Sequence, residues 1–149
     1  MGFAFSPNLK ANVFEAVRLS SSLGKSLYFL HVGKKTQKKE EKFKSILQEA
    51  PKGSNTIKTI WKEGAPVDVI TSECNTNHID LLLLGALQRE NVLKFYLGSI
   101  ARKLTRKAPC SVFLMIKPSV QYLNPNHMVV NALKSNQTEI TINAAFVYA

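Results

Sequence analysis

Leu81-Leu82-Leu83-Leu84-Gly85-Ala86-Leu87-Gln88-Arg89, running on to Leu97-Gly98-Ser99-Ile100-Ala101-Arg102, decides the fold class of this chain. Four leucines in a row leave no solvent face, so they read as a strand buried on both sides. The run stops at Gly85, a polar loop follows, and Gly98-Ser99 opens a segment with helical spacing. Leu97, Ile100, Ala101, Leu104 and Ala108 share one stripe of it, while Arg102, Lys103, Arg106 and Lys107 fall opposite. A buried strand, a loop and a helix with free first amides suits phosphate. The helix N-terminus carries partial positive charge and unpaired N–H groups, and glycine lets an anion approach the backbone closely. A plain strand-to-helix turn would use the same glycines for backbone geometry alone. The stretch by itself leaves both readings open.

The same alternation extends in both directions. Residues 1–5 read as a short strand, and Ser6-Pro7 makes a helix start, with Ser6 as N-cap and Pro7 at the first helical position. Val13, Ala16, Val17 and Ser20 fall on one face of that helix, and Gly24 closes it. Leu27-Tyr28-Phe29-Leu30-His31-Val32 is too apolar for an edge and reads as a central strand. The next helix is rich in lysine and buries Phe43, Ile46, Leu47 and Ala50, and residues 51–55 break it. In residues 56–62, a third strand, Lys58 and Lys62 lie on the face of Ile60, with Ile57, Thr59 and Trp61 on the other. Lysines inside a strand protect a sheet edge. Gly64-Ala65-Pro66 starts a helix with Val67, Ile70 and Cys74 inward. Residues 80–84 and 110–116 complete five strands. Strands alternating with helices in this way predict an α/β fold, a parallel sheet covered by helices on both faces.

Composition excludes several classes of protein. With 149 residues and 45% hydrophobic content, the chain can bury a core as one domain, or one domain plus a fragment. No apolar run approaches the ~18 residues of a membrane span, and the first residues lack the basic and apolar regions of a secretory signal. Cys74 and Cys110 sit in apolar surroundings without metal-ligand spacing, so they are expected to be reduced core residues of a cytoplasmic protein. The net charge of +10 is concentrated in Lys34, Lys35, Lys38, Lys39, Lys42 and Lys44. Glu40 and Glu41 interrupt this run and Phe43 belongs to the buried stripe, so a solvated helix face is favoured over a nucleic-acid or anionic-membrane surface.

Beyond Lys117 the character changes. Residues 118–127 carry two prolines and two asparagines and read as a linker. Residues 128–149 echo the first strand and helix: Ser135 precedes Ala145 by ten positions, as Ser6 precedes Ala16. The expected organisation is a domain at 1–117, a linker at 118–127 and a C-terminal β-α fragment at 128–149, the start of a second, truncated repeat.

Specific phrases sharpen this reading. They are Phe5-Ser6-Pro7-Asn8 after strand one, Leu30-His31-Val32 ending strand two, Glu63-Gly64-Ala65-Pro66 before the third helix, and Ile79-Asp80 leading into the leucines. Gly98-Ser99-Ile100-Ala101 and Lys107-Ala108-Pro109-Cys110-Ser111-Val112 complete the set. Together they resemble the universal stress protein family over residues 3–117, with a weak restart at Met128 as in tandem members. The resemblance implies a five-stranded parallel sheet of order 3-2-1-4-5 with two helices on each face, the adenine nucleotide alpha hydrolase-like arrangement, often homodimeric.

Many members of that family bind ATP through Gly-x2-Gly-x9-Gly-Ser/Thr. Gly85 holds the first position and Gly98-Ser99 the last pair, but Gln88 replaces the middle glycine. Ala4 stands where ATP-binding members place an aspartate. The resemblance implies main-chain groups of Val32 for adenine, amides near Gly85, Gln88, Gly98 and Ser99 for phosphate, and Arg89, with Lys94, for charge. With the glycine and the carboxylate missing, the implied affinity for ATP or another adenine nucleotide is weak or absent. His31, His78 and His127 stand in no triad or metal spacing, and Glu63 and Asp80 are isolated carboxylates, so neither catalysis nor a resident metal is expected. The sequence therefore points to a regulatory protein that holds a nucleotide weakly and dimerises through strand five. The alternative is an interaction module whose pocket has decayed, and a basic-surface binder of nucleic acid or membrane ranks below both.

Overall fold

The computed structural model describes residues 1–53, 56–85, 98–122, 129, 139–140 and 142–143. The chain runs β1 (Gly2–Phe3), α1 (Leu9–Ser22), β2 (Leu27–Val32), α2 (Gln37–Glu49), β3 (Ile57–Lys62), α3 (Pro66–Thr76), β4 (Leu81–Gly85), α4 (Ser99–Lys107) and β5 (Ser111–Met115). The strands form one sheet in the order β3-β2-β1-β4-β5, with every pairing parallel. This is the order the sequence implied. The expected repeat at 128–149 and the loop carrying Gln88, Arg89 and Lys94 lie outside the described residues, apart from five positions of the former.

Each sheet face has its own core. On one face α1 and α2 bury Leu9, Val13, Ala16, Val17, Phe43 and Ile46 against Phe3, Phe29 and Leu83. On the other, α3 and α4 set Ile70, Cys74 and Leu104 on Leu30, Leu82 and Leu84. The leucine run divides between the two as a period of two requires. Cys110 is half-buried and Cys74 buried in the second core, both as free thiols. Burial pushes the Cys74 thiol up to about 11, which suits an unreactive core residue.

Local chemistry explains most element ends. Helix α1 closes in a Schellman arrangement: Lys25 N–H donates to Ser20 O at 3.0 Å and Gly24 N–H to Ser21 O at 3.1 Å, with Gly24 at φ +61°. Thr36 caps α2, its hydroxyl accepting from Lys39 N–H, and Pro66 occupies the first turn of α3. His78 takes φ +48° at the junction from α3 to β4.

The start of α1 departs from the sequence reading. Ser6 and Pro7 do not begin it; they form a separate turn in which Ser6 N–H donates to Ala4 O and Leu9 N–H to Ser6 O. The helix then starts at Leu9 after Asn8, whose side chain makes no cap. The lysine-rich helix does present a solvated face. Lys34, Lys35, Lys38, Lys42 and Lys44 are exposed, and Glu40 pairs with Lys35 and Lys44. After β5 the chain folds back on α1: Arg18 donates to the carbonyls of Ser119 and Val120, and Ser119 N–H donates to Glu15. The first residues of the expected linker are therefore held against the domain.

His31 lies inside an aromatic cluster at the carboxyl end of β2. The rings of Phe3, Phe5 and Trp61 lie 5.0–5.3 Å from its imidazole. Its Nδ1 is 3.1 Å from Phe3 O, while Nε2 is buried without a partner among the described residues. His31 is thus a core residue with one ring nitrogen bonded among the described residues. Burial, with the nearby Lys39 ammonium, holds its pKa below the usual histidine range. The unfolded chain, titrating near 6.5, then binds more protons than the folded one below that pH. The histidine's contribution is fully present above about 6.5 and declines as pH falls. Urea midpoints at pH 7.5 and 5.5 are expected to drop more in the wild type than in His31→Phe. Equal drops would assign the acid sensitivity elsewhere.

Candidate functional site

The sheet order changes direction at β1. The chain leaves β1 towards β2 and β3 on one side, and β4 and β5 lie on the other, so a crevice opens at the carboxyl ends of β1 and β4. A cavity of about 230 Å³ occupies it, walled by the ends of β1, β2 and β4 and the first turns of α1, α3 and α4. That is below the ~300–1,000 Å³ of ordinary ligand pockets, enough to seat part of a nucleotide-sized molecule.

Of the residues the sequence singled out, Val32, Gly85, Gly98 and Ser99 line this one cavity, with Ala4 beside them. Gln88 and Arg89 lie outside the described residues. Leu30 N–H donates to Met1 O across the β1–β2 ladder, and Val32, two residues on, turns its main chain to the same side, where β1 has ended at Phe3. Gly98 is the N-cap of α4 and is buried, and among the described residues no side chain caps the helix. The N–H groups of the first turn are thus available to an anion.

The structure revises the role of the two glycines. Neither is among the positive-φ residues, and Gly98 sits at φ −57°, a conformation open to any residue. Gly85 is required by space. A Cβ there would stand 2.7 Å from both Oδ1 and Nδ2 of Asn12 and 2.9 Å from its Cγ. The amide of Asn12 lies flat on the Gly85 α-carbon, where no larger residue leaves it room.

Asn12 is the residue that sequence reasoning missed. It sits in α1 within the apolar stripe of Leu9, Val13, Ala16 and Val17, and it is 6% exposed. Its Oδ1 is buried with no hydrogen-bond partner among the described residues, and the residue lines the cavity. Leaving a buried acceptor unpaired costs about 1–3 kcal/mol, so the position is not explained by packing alone. The available signal was a polar residue in phase with a core stripe. Ile100 is the complementary surprise. Expected in the buried stripe of α4, it is 44% exposed and lines the cavity mouth, while Leu104 anchors the helix.

The described lining has no ionisable side chain; it offers main-chain groups, the hydroxyls of Ser6 and Ser99, and the Asn12 amide against apolar walls. Among the described residues, no group of three His, Cys, Asp or Glu is placed to hold a metal ion, and no helix is long and apolar enough to cross a membrane.

Comparison with known proteins agrees with this fold. The model of the universal stress protein family matches residues 3–115. A solved universal stress protein in complex with cAMP superposes with a TM-score of 0.57 at 21% identity, covering 77% of this chain and 92% of that one. UspA from Lactobacillus plantarum gives 0.57 at 20% identity over 76% and 93% of the two chains. The hypothetical protein MJ0577, the subject of a structure-based assignment of biochemical function, gives 0.62 at 18% over 76% and 90%. No curated protein matches the chain.

The contact between Asn12 and Gly85 is testable. Gly85→Ala is expected to cost about 1–2 kcal/mol by overpacking, and most of that cost should disappear in an Asn12→Ala background. Denaturant unfolding of the two single variants and the double variant measures the coupling. Strict additivity would show that the amide does not rest on Gly85.

Proposed function

Since the chain belongs to the universal stress protein family, we propose that it is a regulatory binding protein that holds an adenine nucleotide weakly in the β1–β4 crevice, and that it acts as a homodimer. The observation that carries the nucleotide reading is the convergence of Val32, Gly85, Gly98 and Ser99 on one cavity beside an uncapped helix N-terminus. Val32 offers main-chain groups to the base and the first turn of α4 offers amides to phosphate. Arg89, close to Gly85 in sequence, is the cation assigned to the anionic oxygens. A relative solved with cAMP supports an adenine nucleotide as the ligand class. The role assigned is binding and signalling rather than turnover, because the described lining supplies no acid, base or nucleophile poised for chemistry.

Affinity is expected to be low. Ala4 contributes no side-chain hydrogen bond, and Gln88 adds bulk where related loops have bare backbone. A dissociation constant of about 0.1–1 mM for ATP by calorimetry corresponds to the few backbone contacts that remain. Gly98→Val should abolish binding by obstructing the approach to the α4 amides. Equal affinity in variant and wild type would overturn the assignment of the site.

The homodimer reading rests on β5. This strand pairs with β4 on one side, and the described residues place no strand on the other. Residues 111–115 include no charge and no proline, and Ile116, just beyond, is 47% exposed. The opposite edge, β3, carries Lys58 and Lys62. An apolar, uncharged edge is suited to pairing with a second copy across a two-fold axis. Light scattering at micromolar concentration should give twice the chain mass, and Phe113→Lys should reduce it to one chain. A monomeric wild type would remove this part of the reading.

A further inference from the structure

Asn12 has a buried acceptor without a hydrogen-bond partner among the described residues, yet the fold reserves room for it by having glycine at position 85. Its place along the crevice is specific. Val32, assigned to the base, lies at the end of β2; Gly98 and Ser99, assigned to phosphate, open α4 on the far side of β4. Asn12 lies between them, against Gly85 at the end of β4 and behind the end of β1. In a nucleotide spanning those two ends, the group between base and phosphate is the sugar.

We propose that Asn12 is the specificity-determining residue of this crevice, and that its amide reads the vicinal hydroxyls of a ribose; the inference rests on the nucleotide reading above. The chemistry fits an uncharged partner. An amide presents one acceptor and two donors on adjacent atoms, and a vicinal diol offers donors and acceptors at similar spacing. A half-turn of the terminal amide exchanges oxygen and nitrogen, so either pairing can be met. Ala4 has no side-chain polar atom, and Ser6 and Ser99 are less buried than Asn12. Asn12 is therefore the one polar side chain of the described lining that is fully withdrawn from water. A site whose buried polar group is bonded only by the correct ligand discriminates against the analogue that lacks the partner.

The test is a cycle of two ligands and two proteins. ATP and 2′,3′-dideoxy-ATP are titrated by calorimetry into wild type and Asn12→Leu, with Asn12→Ala as a second variant. The wild type is expected to prefer ATP by about three- to tenfold, and both variants to bind the two nucleotides equally and weakly. Inorganic tripolyphosphate should bind all three proteins alike, since it lacks the sugar. If the wild type binds ATP and keeps the same preference after substitution, the Asn12 assignment fails and the nucleotide reading stands. If the wild type binds no ATP, both fall together. Thermal melting without ligand supplies an independent check: Asn12→Leu should leave the melting temperature unchanged or raise it, because it removes an unsatisfied buried acceptor. A fall of several degrees would mark the amide as a structural group and overturn the proposal.

Discussion

The carboxyl edge of the sheet depends on the shortness of β1. Two residues, Gly2 and Phe3, join β2 to β4 and so unite the two halves of a five-stranded sheet. Phe3 stacks on Phe43 with ring centroids 4.3 Å apart and meets Phe29 edge-on, which ties the strand to α2. Because the pairing stops at Phe3, the ends of β2 and β4 stand apart beyond it, while Val32 keeps its place opposite Lys62 in the β2–β3 ladder. A longer β1 would fill the crevice with its own ladder. The site is thus a consequence of where a central strand ends, as the switch-point rule for doubly wound sheets requires.

That origin explains the polarity of the site. A parallel sheet covered on both faces leaves its strand ends as the place where main-chain groups meet solvent. Here the ends are surrounded by apolar side chains from α1, α3 and α4, so polar groups in the lining are few and each has a large effect on what binds. Asn12 Oδ1 and His31 Nε2, both without a partner among the described residues, are buried, one at the crevice and one in the aromatic cluster. They differ in consequence. An imidazole can remain neutral, and burial already biases it that way. An amide has no such option, so its polarity is fixed and only a partner can relieve it.

Much of this architecture was legible in the sequence because periodicity reports burial directly. The leucines of β4, the alternation of Lys58, Ile60 and Lys62 in β3, and Pro66 at the first turn of α3 each carry a local signal that tertiary context did not override. What was not legible depended on contacts between distant residues. Ser6-Pro7 has the chemistry of a helix start, but the end of β1 claims it first through the bond from Ser6 N–H to Ala4 O. Gly85 looked like a backbone device because its constraint comes from Asn12, which is 73 positions earlier in the chain. Ile100 fits the α4 stripe by spacing, yet at the first turn that stripe faces the crevice rather than the sheet. In each case the period is right and the neighbour decides.

The contrast between the exterior and the crevice sets how selection can work. The chain carries a net charge of +10, and lysines crowd the outer face of α2, so any anion is attracted to the surface without regard to its identity. Such attraction is screened within about 8 Å at physiological salt and cannot distinguish one phosphate ester from another. The described crevice wall has no ionisable side chain to repeat that attraction at close range. If the crevice holds the proposed nucleotide, discrimination beyond the charge assigned to Arg89 comes from short-range, directional groups: the main chain at Val32, the amides that open α4, and the amide of Asn12. Two of these three are backbone and would be presented by almost any sequence with this fold. The third is a side-chain choice, held in place by a glycine chosen to match it, and it is there that this chain departs from a generic crevice.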